Sequence, residues 1–143
     1  MANSDFNFAE MVCFSLYTTA NAMVRDYRPA LDKLELTYPQ FIVMMSLWNQ
    51  DCVLIKELSS QTRLDASTLT QVLKRLESKG FVRRIKSPED ERAKVISLTE
   101  EGRALKDKGQ NILDEMSCKV RLTSEEQREL TRICQQIESR LRK

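Results

Sequence analysis

Three glycines and three prolines are all the backbone breakers in 143 residues. That is about a third of the combined share usual in globular chains. Glycine costs a helix interior conformational entropy, and proline costs it a hydrogen bond. So few of either argues for long helices and against a loop-rich or all-β fold. Apolar residues at 41% and charged residues at 31% suit a packed core under a charged surface. The length fits one domain, able to bury roughly two-thirds of its unfolded surface.

Histidine is absent. That removes an imidazole base, the Ser-His-Asp and Cys-His pairs, and the commonest transition-metal ligand. With only Gly80, Gly102 and Gly109, no glycine-rich phosphate loop exists. Cys13, Cys52, Cys118 and Cys134 form no Cys-x-x-Cys pair. No metal and no cofactor is therefore expected, and no enzyme class suggests itself. The plain reading of the cysteines, of Cys52 and Cys134 above all, is as small buried hydrophobes. No stretch reaches the ~18 apolar residues of a membrane helix. The opening Met1–Asp5 carries neither a basic flank nor an apolar run. The expectation is a cytoplasmic protein with no membrane partner.

Hydrophobic spacing lays out the elements. Cys13, Leu16, Tyr17, Ala20, Val24, Tyr27, Leu31 and Leu34 step by three and four, a helical stripe over 8–34 that Pro29 should kink or end. Thr37-Tyr38-Pro39-Gln40 is a helix start, with Thr as cap, Pro in the first turn and Gln three residues on. A nearly all-apolar core helix follows over 38–49. A short helix over 54–61 turns Leu54, Ile55 and Leu58 inward. Asp65 then caps a helix over 66–79, with Leu69, Val72, Leu73 and Leu76 on its buried face and Gly80 as its stop. The period next changes to that of strands, over 81–86 and 93–98, joined by a hairpin loop with Pro88. Thr99 opens a helix over 100–119, and Thr123-Ser124-Glu125-Glu126 is a capping box for a last helix to 142. The fold class is mainly α with a small β-hairpin, in the order of a winged helix-turn-helix.

Charge gathers on the same segment. Lys74, Arg75, Lys79, Arg83, Arg84, Lys86, Arg92 and Lys94 face only Glu77, Glu89, Asp90 and Glu91, in a chain of net charge +2. The positive field lies where such a motif meets a phosphate backbone. Ser67, Thr68, Thr70 and Gln71, beside Lys74 and Arg75, offer short hydrogen-bonding groups to the major groove. Arg84, Lys86, Asp90, Arg92 and Lys94 belong to the wing, whose tip arginine suits a narrow minor groove. A merely solvated charged face is the competing reading.

The sequence resembles the MarR family of transcriptional regulators, and within it the organic-hydroperoxide-sensing (OhrR-type) repressors. The residues that carry the resemblance are Cys13-Phe14-Ser15-Leu16-Tyr17, Tyr27-Arg28-Pro29, Leu36-Thr37-Tyr38-Pro39-Gln40-Phe41, Leu73-Lys74-Arg75-Leu76-Glu77 and Asp90-Glu91-Arg92. Ala66 and Gln71 depart from the pattern on the reading face. The resemblance implies one domain over 1–143, with 8–36 and 100–142 as dimerisation helices and 38–98 as the winged helix-turn-helix. It implies a homodimer on an inverted-repeat operator in double-stranded DNA, with an organic hydroperoxide as inducer. It implies that Cys13 is the redox-sensing thiol, that Tyr27 and Tyr38 stabilise its thiolate, and that Asp90 orients Arg92. Similar two-cysteine regulators place a resolving cysteine just before the last helix, where Cys118 stands between the two C-terminal helices. Cys13 and Tyr27 lie 14 residues apart, about 21 Å along one helix, so contact between them requires the partner subunit. Two other readings remain open. One is a regulator released by a small phenolic ligand, with Cys13 structural. The other is a thiol peroxidase, which would leave the helix–hairpin module unexplained.

Overall fold

The fold is read from a computed structural model, which describes residues 5–142; Met1–Ser4, part of the segment read above as lacking an export signal, and Lys143 lie outside it. The described residues divide into two units, at Ile112 and Leu113.

The first unit begins with a 3-10 turn, Phe8–Glu10, and then α1, Val12–Lys33. The helix expected from residue 8 thus starts later, because Asn7 caps only the short turn through the N–H of Ala9. α1 also continues through Pro29, so the helix does not end there. Pro29 forfeits one backbone bond, while Tyr27 and Leu31 beside it are buried and anchor that turn. The apolar stripe divides in two. Tyr27, Leu31 and Leu34 are core, whereas Cys13, Leu16, Tyr17 and Ala20 are exposed.

α2, Tyr38–Asn49, starts as its sequence dictates. Thr37 Oγ1 accepts the Gln40 N–H, and Gln40 Oε1 accepts the Thr37 N–H. Its Phe41, Val43, Met44 and Leu47 form the centre of the core. α3, Ile55–Thr62, buries Leu58, while Leu54 and Ile55 before it are only half-buried. α4, Ala66–Ser78, is capped by Asp65 and buries Leu69, Val72, Leu73 and Leu76. Gly80 follows at φ +80°, a left-handed turn that glycine adopts without strain.

Strands β2, Val82–Lys86, and β3, Lys94–Leu98, form the expected hairpin, from Val82 opposite Leu98 to Lys86 opposite Lys94. A third strand was not foreseen. β1, Val53–Leu54, pairs with the other edge of β3, giving the antiparallel order β1-β3-β2. Two residues are too few to show a period in the sequence, and β3 supplies the pairing.

The helix expected over 100–119 is interrupted. α5, Glu100–Ala104, ends at Leu105, and α6 runs over Lys106–Val120. At the break the Gly102 carbonyl accepts the Trp48 indole Nε1–H at 2.9 Å and the Leu105 N–H, three residues on, at 3.4 Å. Gly102 is also backed against the Phe81 carbonyl, and Gly109 against the Trp48 ring, so neither position has room for a Cβ.

In the second unit, the end of α6 leads through Arg121, at φ +56°, to α7, Ser124–Leu141. Thr123 and Glu126 form the expected capping box. The apolar stripe of α7 is uncovered, with Leu130, Ile133 and Leu141 exposed. Cys118 stands in the last turn of α6 and not between the two helices as expected.

Candidate nucleic-acid interface and sensing residues

The basic surface is built from α4 and the wing. Asp65 Oδ1 accepts the Thr68 N–H at 2.7 Å and the Ser67 hydroxyl at 2.8 Å. These bonds to the charged form, the Thr68 N–H first, hold the Asp65 carboxyl below its ordinary value. The cap thus stays ionised at neutral pH and fixes the first turn of α4. Thr70 donates its hydroxyl back to the Ala66 carbonyl at 2.8 Å. Ser67 and Thr70 therefore present acceptor lone pairs outward. Gln71, Lys74 and Arg75 extend to solvent from the same helix, and Thr68 is half-buried.

The far end of α4 is pinned. The Lys79 ammonium donates to Gln40 Oε1 at 2.8 Å and to the Glu35 carbonyl. Partial burial lowers its pKa, against the raising effect of Glu35. Lys79, counted in the sequence among the basic field, is in fact the tie between the end of α4 and the turn that starts α2.

The wing carries Arg83, Lys86, Arg92 and Lys94 in the open. Lys86 and Lys94 stand directly opposite each other at its end. Like charges paired across strands repel, unless an anion lies between them. The tip is shaped from within. Asp90 Oδ1 accepts the Arg92 backbone N–H at 3.0 Å, and its carbonyl accepts the Ala93 N–H. Asp90 thus acts on Arg92 through the main chain. Arg84 differs from its neighbours. It turns inward toward Glu77 of α4, with Nε 3.2 Å from Oε2.

Asp51 fixes the base of the wing, a role that sequence reading missed. Its Oδ1 accepts the N–H groups of Leu98, at 2.9 Å, and Cys52, at 2.8 Å, and Arg103 Nε stands 3.7 Å from Oδ2. Leu98 and Arg103 lie about 50 residues away in sequence, so no local pattern marks them. Cys52 beside it is exposed at φ +57°, against the expectation of burial, because the turn into β1 carries it to the surface.

Tyr27 and Tyr38 meet at the α1–α2 corner, with ring centroids 5.3 Å apart and Phe41 6.1 Å from Tyr27. Burial raises the pKa of both phenols, and the proximity of Tyr38 raises that of Tyr27 further. Both keep their protons at neutral pH and remain donors. Cys13 is exposed on the first turns of α1, on the same unbroken helix as Tyr27. Their separation along it, about 21 Å, keeps them apart within one protomer. Cys118 is exposed, Cys134 is half-buried, and all four cysteines are free thiols. Among the described residues, no three potential ligands gather as for a metal ion, and no helix is long and apolar enough to cross a membrane.

A capped helix presented beside α3, followed by a basic hairpin anchored at its base, defines a winged helix-turn-helix protein that binds DNA. The comparisons narrow the class. The model of the MarR family matches residues 36–94. An organic hydroperoxide resistance transcriptional regulator of Bacillus subtilis (strain 168) is 45% identical over 101 residues, 71% of this chain and 69% of that protein. The HTH-type transcriptional regulator SarZ of Staphylococcus aureus (strain USA300) is 38% identical over 112 residues, 78% of this chain and 73% of its own. Reduced AbfR bound to DNA superposes with a TM-score of 0.78 at 26% identity, over 93% of this chain and 92% of that one. The chain belongs to the MarR family. It is a DNA-binding transcriptional regulator and not an enzyme.

Proposed function

We propose that the chain is a homodimeric repressor that senses organic hydroperoxides through Cys13 and then releases an inverted-repeat operator. The observation that carries this reading is the pairing of an exposed thiol with two packed phenols, Tyr27 buried and Tyr38 half-buried, that it cannot reach alone. Cys13 lies on the uncovered apolar half of α1, and the protonated Tyr27–Tyr38 pair lies at the other end of the same helix. An antiparallel partner helix would bring one protomer's Cys13 to the other's phenols. The exposed apolar residues of α1 and α7 suit such an interface, so 8–36 and 100–142 serve dimerisation and 38–98 serves DNA. The similarity to the Bacillus subtilis regulator supports the inducer class.

Phenolic O–H groups donating to the sulfur favour its thiolate. The thiolate attacks one oxygen of the hydroperoxide. An S–O bond forms, the O–O bond breaks, and the alkoxide takes a proton and leaves as the alcohol. The sulfur, oxidised by two electrons, becomes a sulfenic acid. The Cys118 thiol of the partner protomer then condenses with it, forming an S–S bond and releasing water. Ser67, Thr68, Thr70, Gln71, Lys74 and Arg75 contact the major groove. Arg84, Lys86, Arg92 and Lys94 serve the wing, with Asp90 shaping its tip.

The test is a non-reducing gel after treatment with cumene hydroperoxide. Wild type should give a covalent dimer that reductant dissolves, and Cys118→Ser should give none. A dimer persisting in Cys118→Ser would assign the partner to Cys52 or Cys134. Peroxide consumption that stops at one equivalent per Cys13 without reductant separates a switch from a peroxidase.

One observation favours a second reading. A hollow of about 220 Å³ between α1 and α2 is lined by Val24, Arg28, Leu31, Asp32, Leu36, Thr37, Tyr38 and Pro39. Its walls, apolar apart from Arg28, Asp32 and Thr37, fit a small phenolic ligand. Release by such a ligand, undiminished in Cys13→Ser, would replace the thiol switch.

A further inference from the structure

The basic residues of the wing are not equivalent. Arg84 pairs with Ile96 across the hairpin, and Ile96 is fully buried. Directly opposed residues share a face of the sheet, so Arg84 points to the inner side. Its side chain is 22% exposed, and its Nε lies 3.2 Å from Glu77 Oε2 on the last turns of α4. Nε and Nη2 are both hidden from solvent and make no aligned hydrogen bond. A guanidinium held in this way does not offer its fork to a phosphate. To do so it would have to leave Glu77 and vacate the space between β2 and α4.

We infer that Arg84 is a positioning residue and not a phosphate ligand: with Glu77 it fixes the angle between the recognition helix α4 and the wing. Chain connectivity leaves that angle to be set. Between α4 and β2 stand only Lys79, Gly80 and Phe81, and Gly80 is in the left-handed region. Thr99 clasps this turn, its hydroxyl donating to the Gly80 carbonyl at 2.6 Å and its N–H to the Phe81 carbonyl at 3.0 Å. Asp51 holds Leu98 beside it. These contacts secure only the base. Arg84 and Glu77 join the two elements two residues further up the strand. Arg84 is largely hidden at this joint while Glu77 is 46% exposed, so water screens their attraction in part. Helix and wing must enter neighbouring grooves together, so a shift in their angle costs contacts in both. The inference rests on α4 and the wing being the DNA-contacting elements.

The test compares Arg84→Met, Glu77→Ala and the double variant by fluorescence anisotropy. The probes are a duplex from upstream of the chain's own gene and an unrelated duplex, each over a series of salt concentrations. Circular dichroism melts confirm folding. A positioning pair predicts that Glu77→Ala weakens binding by about threefold or more, although it removes a negative charge beside the DNA face. Arg84→Met should weaken it similarly, and the double variant should be no worse than either. The salt slope should not change. If Arg84→Met fails to fold, Glu77→Ala alone decides, because the two readings predict opposite signs. Tighter binding by Glu77→Ala, or a salt slope lowered by about one in Arg84→Met, would make Arg84 a phosphate ligand and overturn the inference. Unchanged affinity in both single variants would overturn it equally. A wild type that binds neither duplex would instead refute the reading on which the inference rests.

Discussion

Arg92 and Arg84 show how far one residue type can differ in role within a single hairpin. Arg92 stands at the tip in the open, and Asp90 fixes its backbone. Arg84 is turned into the joint with α4. The sequence marks both as basic and near a turn. Only the strand register tells which faces outward, because one residue of shift moves a side chain to the other face. Arg92→Ala should therefore weaken operator binding by about 1–3 kcal/mol and lower the salt slope by about one, with the melting temperature unchanged. Equal affinity for wild type and variant in a titration would remove the wing tip from the interface. Lys79 makes the same point in reverse. It reads as part of the basic field, yet Gln40 and the Glu35 carbonyl hold it.

Elements whose signals are local were legible. Thr37 with Gln40, Asp65, and Thr123 with Glu126 each set a helix start within four residues, and each cap forms. Elements set by distant partners were not. β1 exists because β3 offers an edge, and the break between α5 and α6 lies where Trp48, 54 residues away, donates to the Gly102 carbonyl. The sequence shows Trp48 as one more apolar residue in a core helix. The missing signal is that a half-buried indole N–H finds an acceptor. Gly109 lies under the same ring. Gly109→Ala should drive a methyl group into the indole and strain its bond to Gly102. The expected cost is about 1–3 kcal/mol, read as a lower denaturation midpoint with an unchanged slope. An unchanged midpoint would show that the indole moves aside freely.

At the scale of the whole molecule, two apolar surfaces stand exposed among the described residues. One is the apolar half of α1 with the 3-10 turn before it, and the other is the stripe along α7. Both are helical stripes in the sequence, and a stripe alone does not tell what covers it. α1 continues through Pro29 because tertiary anchoring by Tyr27 and Leu31 outweighs the local cost of proline. Cys13 and Tyr27 lie far apart on α1, and α4 is tied through Lys79 and Gln40 to the corner that begins with Tyr38. In the proposed switch, a change at Tyr38 would reach α4 through this tie. The most direct test is operator release followed by fluorescence anisotropy, with cumene hydroperoxide and then dithiothreitol added to wild type and to Cys13→Ser. The account predicts release of wild type on oxidation, rebinding on reduction, and no response from the variant. Binding that ignores peroxide in wild type, or release that survives in Cys13→Ser, would contradict it.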